Sequence, residues 1–232
     1  MSKYLAIDAS TEACSVALSL ENNLYSDFEL CPQSHSVVLL PMVDRLLKQA
    51  KIKLSELDGL VFGRGPGSFT GVRIGVGVAQ GLAFSAELPV VGVSTLQTMA
   101  QQAYEKYQQT EVIAVIDARM SEVYAGFYRV NDKGIMTAVV DETVLPPADL
   151  AEYLKEHTQQ SYGVGTGWDA YPAELSSLKT NPDSPEVLFP DASAMLPIAT
   201  QEFHAGKGVS AEHAQPVYVR DTVSWKKLPG RE

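Results

Sequence analysis

The sequence predicts an α/β protein built from two copies of one plan, each a mixed sheet flanked by helices. Three observations carry this. Residues 3–8 (KYLAID) and 111–117 (EVIAVID) are short apolar runs that each end in Asp, giving "IDAS" at 7–10 and "IDAR" at 116–119. Each run is followed by alternating segments that read as a β-meander. In each half the meander then gives way to strand–helix units, the pattern of a sheet covered by helices.

The elements follow in order. Residues 14–20 (CSVALSL) and 24–30 (LYSDFEL) alternate around a turn at Glu21-Asn22-Asn23. Residues 35–50 read as a helix, with Ser34 or Ser36 as a possible cap. Residues 58–63 form a strand, 68–86 a helix, 89–93 a strand and 95–107 a helix. In the second half, 122–130 alternate, Asn131 to Gly134 turn, and 135–144 run back as a strand. Residues 147–157 look helical, 161–165 extended and 193–205 helical. The Pro-, Ser-, Asn- and Asp-rich stretch 172–190 reads as a long surface loop. Lobes of 1–108 and 109–232 are expected.

With 232 residues, 45% of them apolar, the chain can bury a sizeable core. It carries 28 acidic against 18 basic residues, a net charge of −10. That balance argues against a chain that grips nucleic acid by itself. The basic residues within 219–232 read as a solvated tail. Cys14 and Cys31 form no CxxC or Cys/His ligand spacing, and His35, His157, His204 and His213 form no HExxH or HxxxH pair, so no metal site is expected. No long apolar run resembles a signal peptide or a membrane span, which makes the cytoplasm the expected location.

"GRGPGSFTGVRIGVGVAQGLAF" at 63–84 raises the possibility of a phosphate cradle. It has no GxxxxGK[ST] lysine, and Gly65, Gly67 and Gly71 give GxGxxxG rather than a dinucleotide fingerprint. A backbone nest at a helix start still attracts anions. Asp8, Ser10, Gly65 and Gly67 are therefore the candidates for a weak, degenerate phosphate site. Asp8 and Asp117 could hold Mg²⁺ and phosphate there, or simply accept backbone N–H bonds from the turns that follow them. No GxSxG elbow or assignable nucleophile–base pair is present, so no catalytic residue is expected.

Packing is the stronger reading of the glycines. Helix 68–86 is apolar or glycine almost all round, and Gly71/Gly75 and Gly77/Gly81 recur at i, i+4. Leu39, Met42, Val43 and Leu46 belong to an apolar arc on helix 35–50 wider than one core needs. Together these features predict an interface with a second chain, made by those four residues with Gly71, Val72, Arg73, Gly75, Val76, Ala79, Gln80 and Ala83; the alternative is a thick local core. Val72, Val76, Ala79 and Ala83 form its central small-residue stripe, bordered by Arg73 and Gln80.

The chain resembles the TsaB family, also called YeaZ. The resemblance rests on Ile7-Asp8-Ala9-Ser10 for the family's "IDTS", His35 to Pro41 for "HS…LLP", and Gly65 to Gly75 for "GPGSFTGxRIG". Asp117 to Tyr124 match "D-A-R-x-x-E-V-Y", and Pro216, Tyr218 and Arg220 match "P-x-Y-x-R". The resemblance runs essentially from end to end and implies a duplicated actin-like (ASKHA) fold. It implies a non-catalytic partner of TsaD and TsaE in forming N6-threonylcarbamoyladenosine at position 37 of ANN-decoding tRNAs, with threonylcarbamoyl-AMP supplied by TsaC. It also implies a homodimer when the chain is alone, tRNA contact only through the complex, and no tightly bound cofactor, with any ATP or ADP shared with TsaD. TsaD-like relatives carry a metal-binding His-x-x-x-His where this chain has Thr95 and Met99. The rival expectations are an independent actin-like ATPase or small-molecule kinase, and a peptidase.

Overall fold

The computed structural model describes residues 2–21, 23–181 and 185–220. The first sheet holds β1 (Tyr4–Asp8), β2 (Ala13–Leu20), β3 (Asn23–Leu30), β4 (Gly59–Gly63) and β5 (Val90–Val93), in the order β3-β2-β1-β4-β5. β1 pairs antiparallel with β2 and parallel with β4, which pairs parallel with β5. β1 and β4 are buried along their whole length, as central strands covered on both faces must be.

The second sheet repeats the plan. It contains β6 (Glu111–Asp117), β7 (Val123–Val130), β8 (Met136–Ala138) and β10 (Tyr162–Val164), ordered β10-β6-β7-β8, with β9 (Thr143–Leu145) also on β7. β6 pairs antiparallel with β7 and parallel with β10, just as β1 does with β2 and β4. The single strand expected over 135–144 is split into β8 and β9, both pairing with β7.

The helices are α1 (His35–Ala50), α2 (Phe69–Ala86), α3 (Thr95–Tyr107), α4 (Leu150–Leu154), α5 (Gly167–Ala170), α6 (Pro172–Leu175) and α7 (Met195–His204). The helix expected over 147–157 is thus a short turn running into α4. The expected loop 172–190 is not all surface: Leu175, Leu178 and Val187 are buried, because α6 and the turn after it close over the second sheet.

Period-two alternation distributes the core. Leu5, Ile7, Leu60 and Phe62 face α1 and α2, whereas Tyr4, Ala6 and Val61 face α7. In the second sheet Val112, Ala114 and Ile116 face α3, and Ile113 and Val115 face Trp168 and Leu175 on α5 and α6. The cut at 108/109 therefore separates the sheets but not their covers. α3, from the first half, lies on the second sheet, and α7, from the second half, lies on the first. No helix among the described residues is long and apolar enough to cross a membrane.

Candidate functional site

β1 delivers Asp8 to the junction of the two sheets. Its carboxylate accepts the Ser10 N–H at 2.9 Å and the Ser10 hydroxyl at 2.9 and 3.1 Å. The Thr95 hydroxyl, at the start of α3, donates to Ser10 Oγ at 2.9 Å. Asp8 is 1% exposed, and burial pushes its carboxyl up to about 6, offset in part by the bonds from Ser10. Asp117 likewise accepts the Arg119 N–H at 2.9 Å, so each strand-ending Asp holds the turn that follows it.

The glycine loop closes on this turn. The Ser68 N–H donates to the Ser10 carbonyl at 2.7 Å. A methyl group on Gly67 would overlap the Ser10 carbonyl oxygen, and one on Gly71 would overlap that of Ala9. Gly65, at φ +93°, turns the chain beside the Val217 carbonyl. Of the four residues expected at a phosphate site, Asp8, Ser10 and Gly67 thus join through hydrogen bonds and close packing, and Gly65 supplies the turn.

The expected interface is corrected for its apolar and glycine residues. Leu39, Met42, Val43 and Leu46 on α1, and Val72, Val76, Ala79 and Ala83 on α2, all lie in the chain's own core. Gly71 and Gly75 face the Ala9 backbone. The small-residue stripe lets α2 lie close to β1 and β4; it is not a seam for a second chain. Its polar neighbours serve the last described segment, where Gln80 Nε2 donates to the Ala214 carbonyl at 2.8 Å and Arg73 Nε to the Tyr218 hydroxyl at 2.9 Å. A helical wheel shows that two arcs are apolar. It does not show which arc meets the sheet.

The other arc of the same helices is open. Phe84 is 80% exposed, Val37 69%, Phe69 55% and Leu40 47%. Between them α1 and α2 leave a shallow groove along Leu40, Ile74, Gly77, Val78, Gly81 and Leu82, and a side chain at Gly77 or Gly81 would meet only open space.

A second cavity of about 570 Å³ adjoins this face and shares Arg73 with it. Three separated sequence motifs converge there: Pro66, Phe69 and Arg73 from the glycine loop and α2, Tyr124 from β7, and Tyr218 and Arg220 from the final segment. Val217 N–H donates to the Arg64 carbonyl at 2.8 Å, and Arg220 donates to Glu122 at 2.6 Å and to the Ala118 carbonyl at 3.2 Å. The final segment therefore bridges the two sheets. The side chains that line this cavity offer two guanidinium groups and two phenols, which stack and donate hydrogen bonds. Tyr124, Tyr218 and Arg220 carried a motif but no role in the sequence, and their meeting with Arg73 is long-range.

Elsewhere the fold gathers Cys14, Cys31 and His35 into one buried cluster, although no ligand motif spaces them. Thr95 and Met99 are wholly buried, Thr95 in the Ser10 network and Met99 in the core under α3.

The tRNA threonylcarbamoyladenosine biosynthesis protein TsaB of Escherichia coli (strain K12) is 50% identical over 99% of this chain and 100% of its own length. The chain belongs to the TsaB family. TsaB of Haemophilus influenzae is 42% identical over 98% of both chains. Residues 21–182 match the family model described as TsaD, tRNA N6-adenosine threonylcarbamoyltransferase. A solved Pseudomonas aeruginosa protein, described as similar to peptidase YeaZ, superposes with a TM-score of 0.87 at 45% identity, covering 95% of this chain and 100% of that one. YeaZ from Pseudomonas aeruginosa gives 0.83 at 44% identity, covering 94% and 100%. The two-sheet architecture with its repeated plan is therefore that of a TsaB-family protein.

Proposed function

We infer that this TsaB-family chain is a non-catalytic subunit that works with TsaD and TsaE to form N6-threonylcarbamoyladenosine at position 37 of ANN-decoding tRNAs. The observation that carries the reading is the convergence of three motifs on one groove, beside an exposed apolar helix face. Such a face on a soluble chain marks a binding surface. Residues that stack and donate suit recognition of a partner better than turnover. The burial of Thr95 and Met99 supports the same reading, since TsaD-like relatives place metal-binding histidines there.

The partner surface is the outer face of α1 and α2, with Val37, Leu40, Phe69 and Phe84 as its apolar anchors. One face of this size serves one partner at a time, so the chain pairs with a second copy when alone and exchanges it for TsaD. With a net charge of −10, the chain meets tRNA only through the complex, in the cytoplasm. Because the Asp8 carboxylate is already bonded to Ser10, any nucleotide binding to the lone chain is weak, on the order of millimolar (about −4 kcal/mol). Any ATP or ADP is shared with TsaD.

Reconstitution tests this. The purified chain should form no product from tRNA and threonylcarbamoyl-AMP, and adding TsaD and TsaE with ATP should restore formation. Turnover by the lone chain would overturn the accessory role and favour an independent enzyme.

A further inference from the structure

We propose that Cys14, Cys31 and His35 form a binding site for a thiophilic divalent cation of the Zn²⁺ class. The donor atoms of these three side chains lie within 4.8 Å of one another, and all three residues are buried. The meander builds the cluster. Cys14 is the second residue of β2, and Cys31 follows the last residue of β3, its N–H donating to the Glu12 carbonyl at 3.0 Å. The turn 32–34 then delivers His35 as the first residue of α1. Residues spaced 17 and 4 apart in sequence thus meet because a hairpin closes and a helix starts at its open end.

The chemistry of the donors selects the ion. Two thiols and an imidazole are soft and borderline ligands, suited to Zn²⁺ rather than to Mg²⁺ or Ca²⁺. Ideal Zn–S and Zn–N bonds need donor separations of roughly 3.3–3.8 Å, so small side-chain rotations close the set. On binding, Zn²⁺ displaces one proton from each thiol into solvent, and two thiolates cancel its charge. A neutral site is the kind an apolar surround tolerates, and Cys14, Cys31, Val16 and Leu39 belong to one apolar cluster. The imidazole is already oriented: His35 Nε2 lies 2.7 Å from the Thr11 carbonyl. A carbonyl beside one ring nitrogen fixes the proton there and leaves the other nitrogen's lone pair for a metal, the usual arrangement around ligating histidines. Three protein ligands leave the fourth tetrahedral position open. Bound cation would tie the β2–β3 hairpin to the start of α1.

The test titrates the metal-free, fully reduced full-length chain with Zn²⁺ and, as a spectroscopic probe, Co²⁺. Expected are one Zn²⁺ per chain, a thiolate-to-cobalt charge-transfer band with tetrahedral d–d bands, and a higher melting temperature with Zn²⁺. Cys31→Ser and His35→Ala should each weaken Zn²⁺ binding roughly 100-fold or more with unchanged circular dichroism. Should either variant unfold, the unaltered protein decides: Zn²⁺ must slow native-state alkylation of both cysteines. Absence of stoichiometric uptake, uptake unchanged in Cys31→Ser, or alkylation indifferent to Zn²⁺ would overturn the site.

Discussion

The guanidinium carbon of Arg73 lies 3.6 Å from the centre of the Phe69 ring and at the same time presents Nε to the Tyr218 hydroxyl at 2.9 Å. One side chain thus couples the start of α2 to the final segment across 145 residues. Arg73→Ala should remove the stack and the tether together, costing the exposed pair about 0.5–1 kcal/mol of stability. If the groove recognises TsaD, affinity for TsaD should fall at least tenfold with little change in melting temperature, by calorimetry and thermal denaturation. Undiminished TsaD binding would move the contact elsewhere.

The outer helix face can be separated from the core by charge. Phe84→Glu and Leu40→Glu place carboxylates on open surface, so both variants should fold normally, elute as monomers and fail to capture TsaD. Val76→Arg places a charge under α2, where the residue is 4% exposed. It should cost roughly 3–5 kcal/mol and melt early or aggregate. A well-folded Val76→Arg would show that Val76 does not face the core.

The glycines of one helix and its entry loop should answer oppositely to alanine. At Gly71 the added methyl meets the Ala9 carbonyl, so Gly71→Ala should lower stability by at least about 2 kcal/mol. At Gly77 and Gly81 the methyl meets nothing, and each Gly→Ala should raise it by roughly 0.5–1 kcal/mol through helix propensity. Chemical denaturation in the monomeric Phe84→Glu background, where no second copy covers the groove, reads both signs.

Asp8 predicts a pH dependence. Its folded-state pKa, raised from 3.8 to about 6, means that native protein holds a proton which the unfolded chain has released. Its contribution is fully present below pH ~4 and is lost as pH rises through ~6, a change of about 3 kcal/mol. Asp8→Asn keeps an acceptor for Ser10 and cannot ionise, so that decline should disappear from its stability curve. An identical decline in the variant would assign the effect to other groups.

The strands and the duplication were legible because short apolar runs ending in Asp mark β1 and β6, and alternation marks β2, β3 and β7. The glycine loop was legible as close packing, but not what it packs on, since the Ser10 and Ala9 carbonyls lie on another element. The faces of α1 and α2 were misassigned because apolar residues surround both helices, and the exposure of Phe84 depends on where the sheet lies. The converging groove and the Cys14–Cys31–His35 cluster were illegible for one reason: both are assembled from segments whose nearness only the folded topology decides.

The crossing of α3 and α7 between the sheets has a consequence for how the protein is made. A ribosome delivers the chain from its first residue onward. β1, β4 and β5 emerge early, yet the helix that covers Tyr4, Ala6, Val61 and Val91 begins only at Met195. A nascent or prematurely ended chain therefore shows a bare, greasy sheet face, the kind of surface that chaperones hold and proteases find. The first sheet is covered only once residues 195–204 have been made, so a product that stops short of them carries the mark of its own incompleteness.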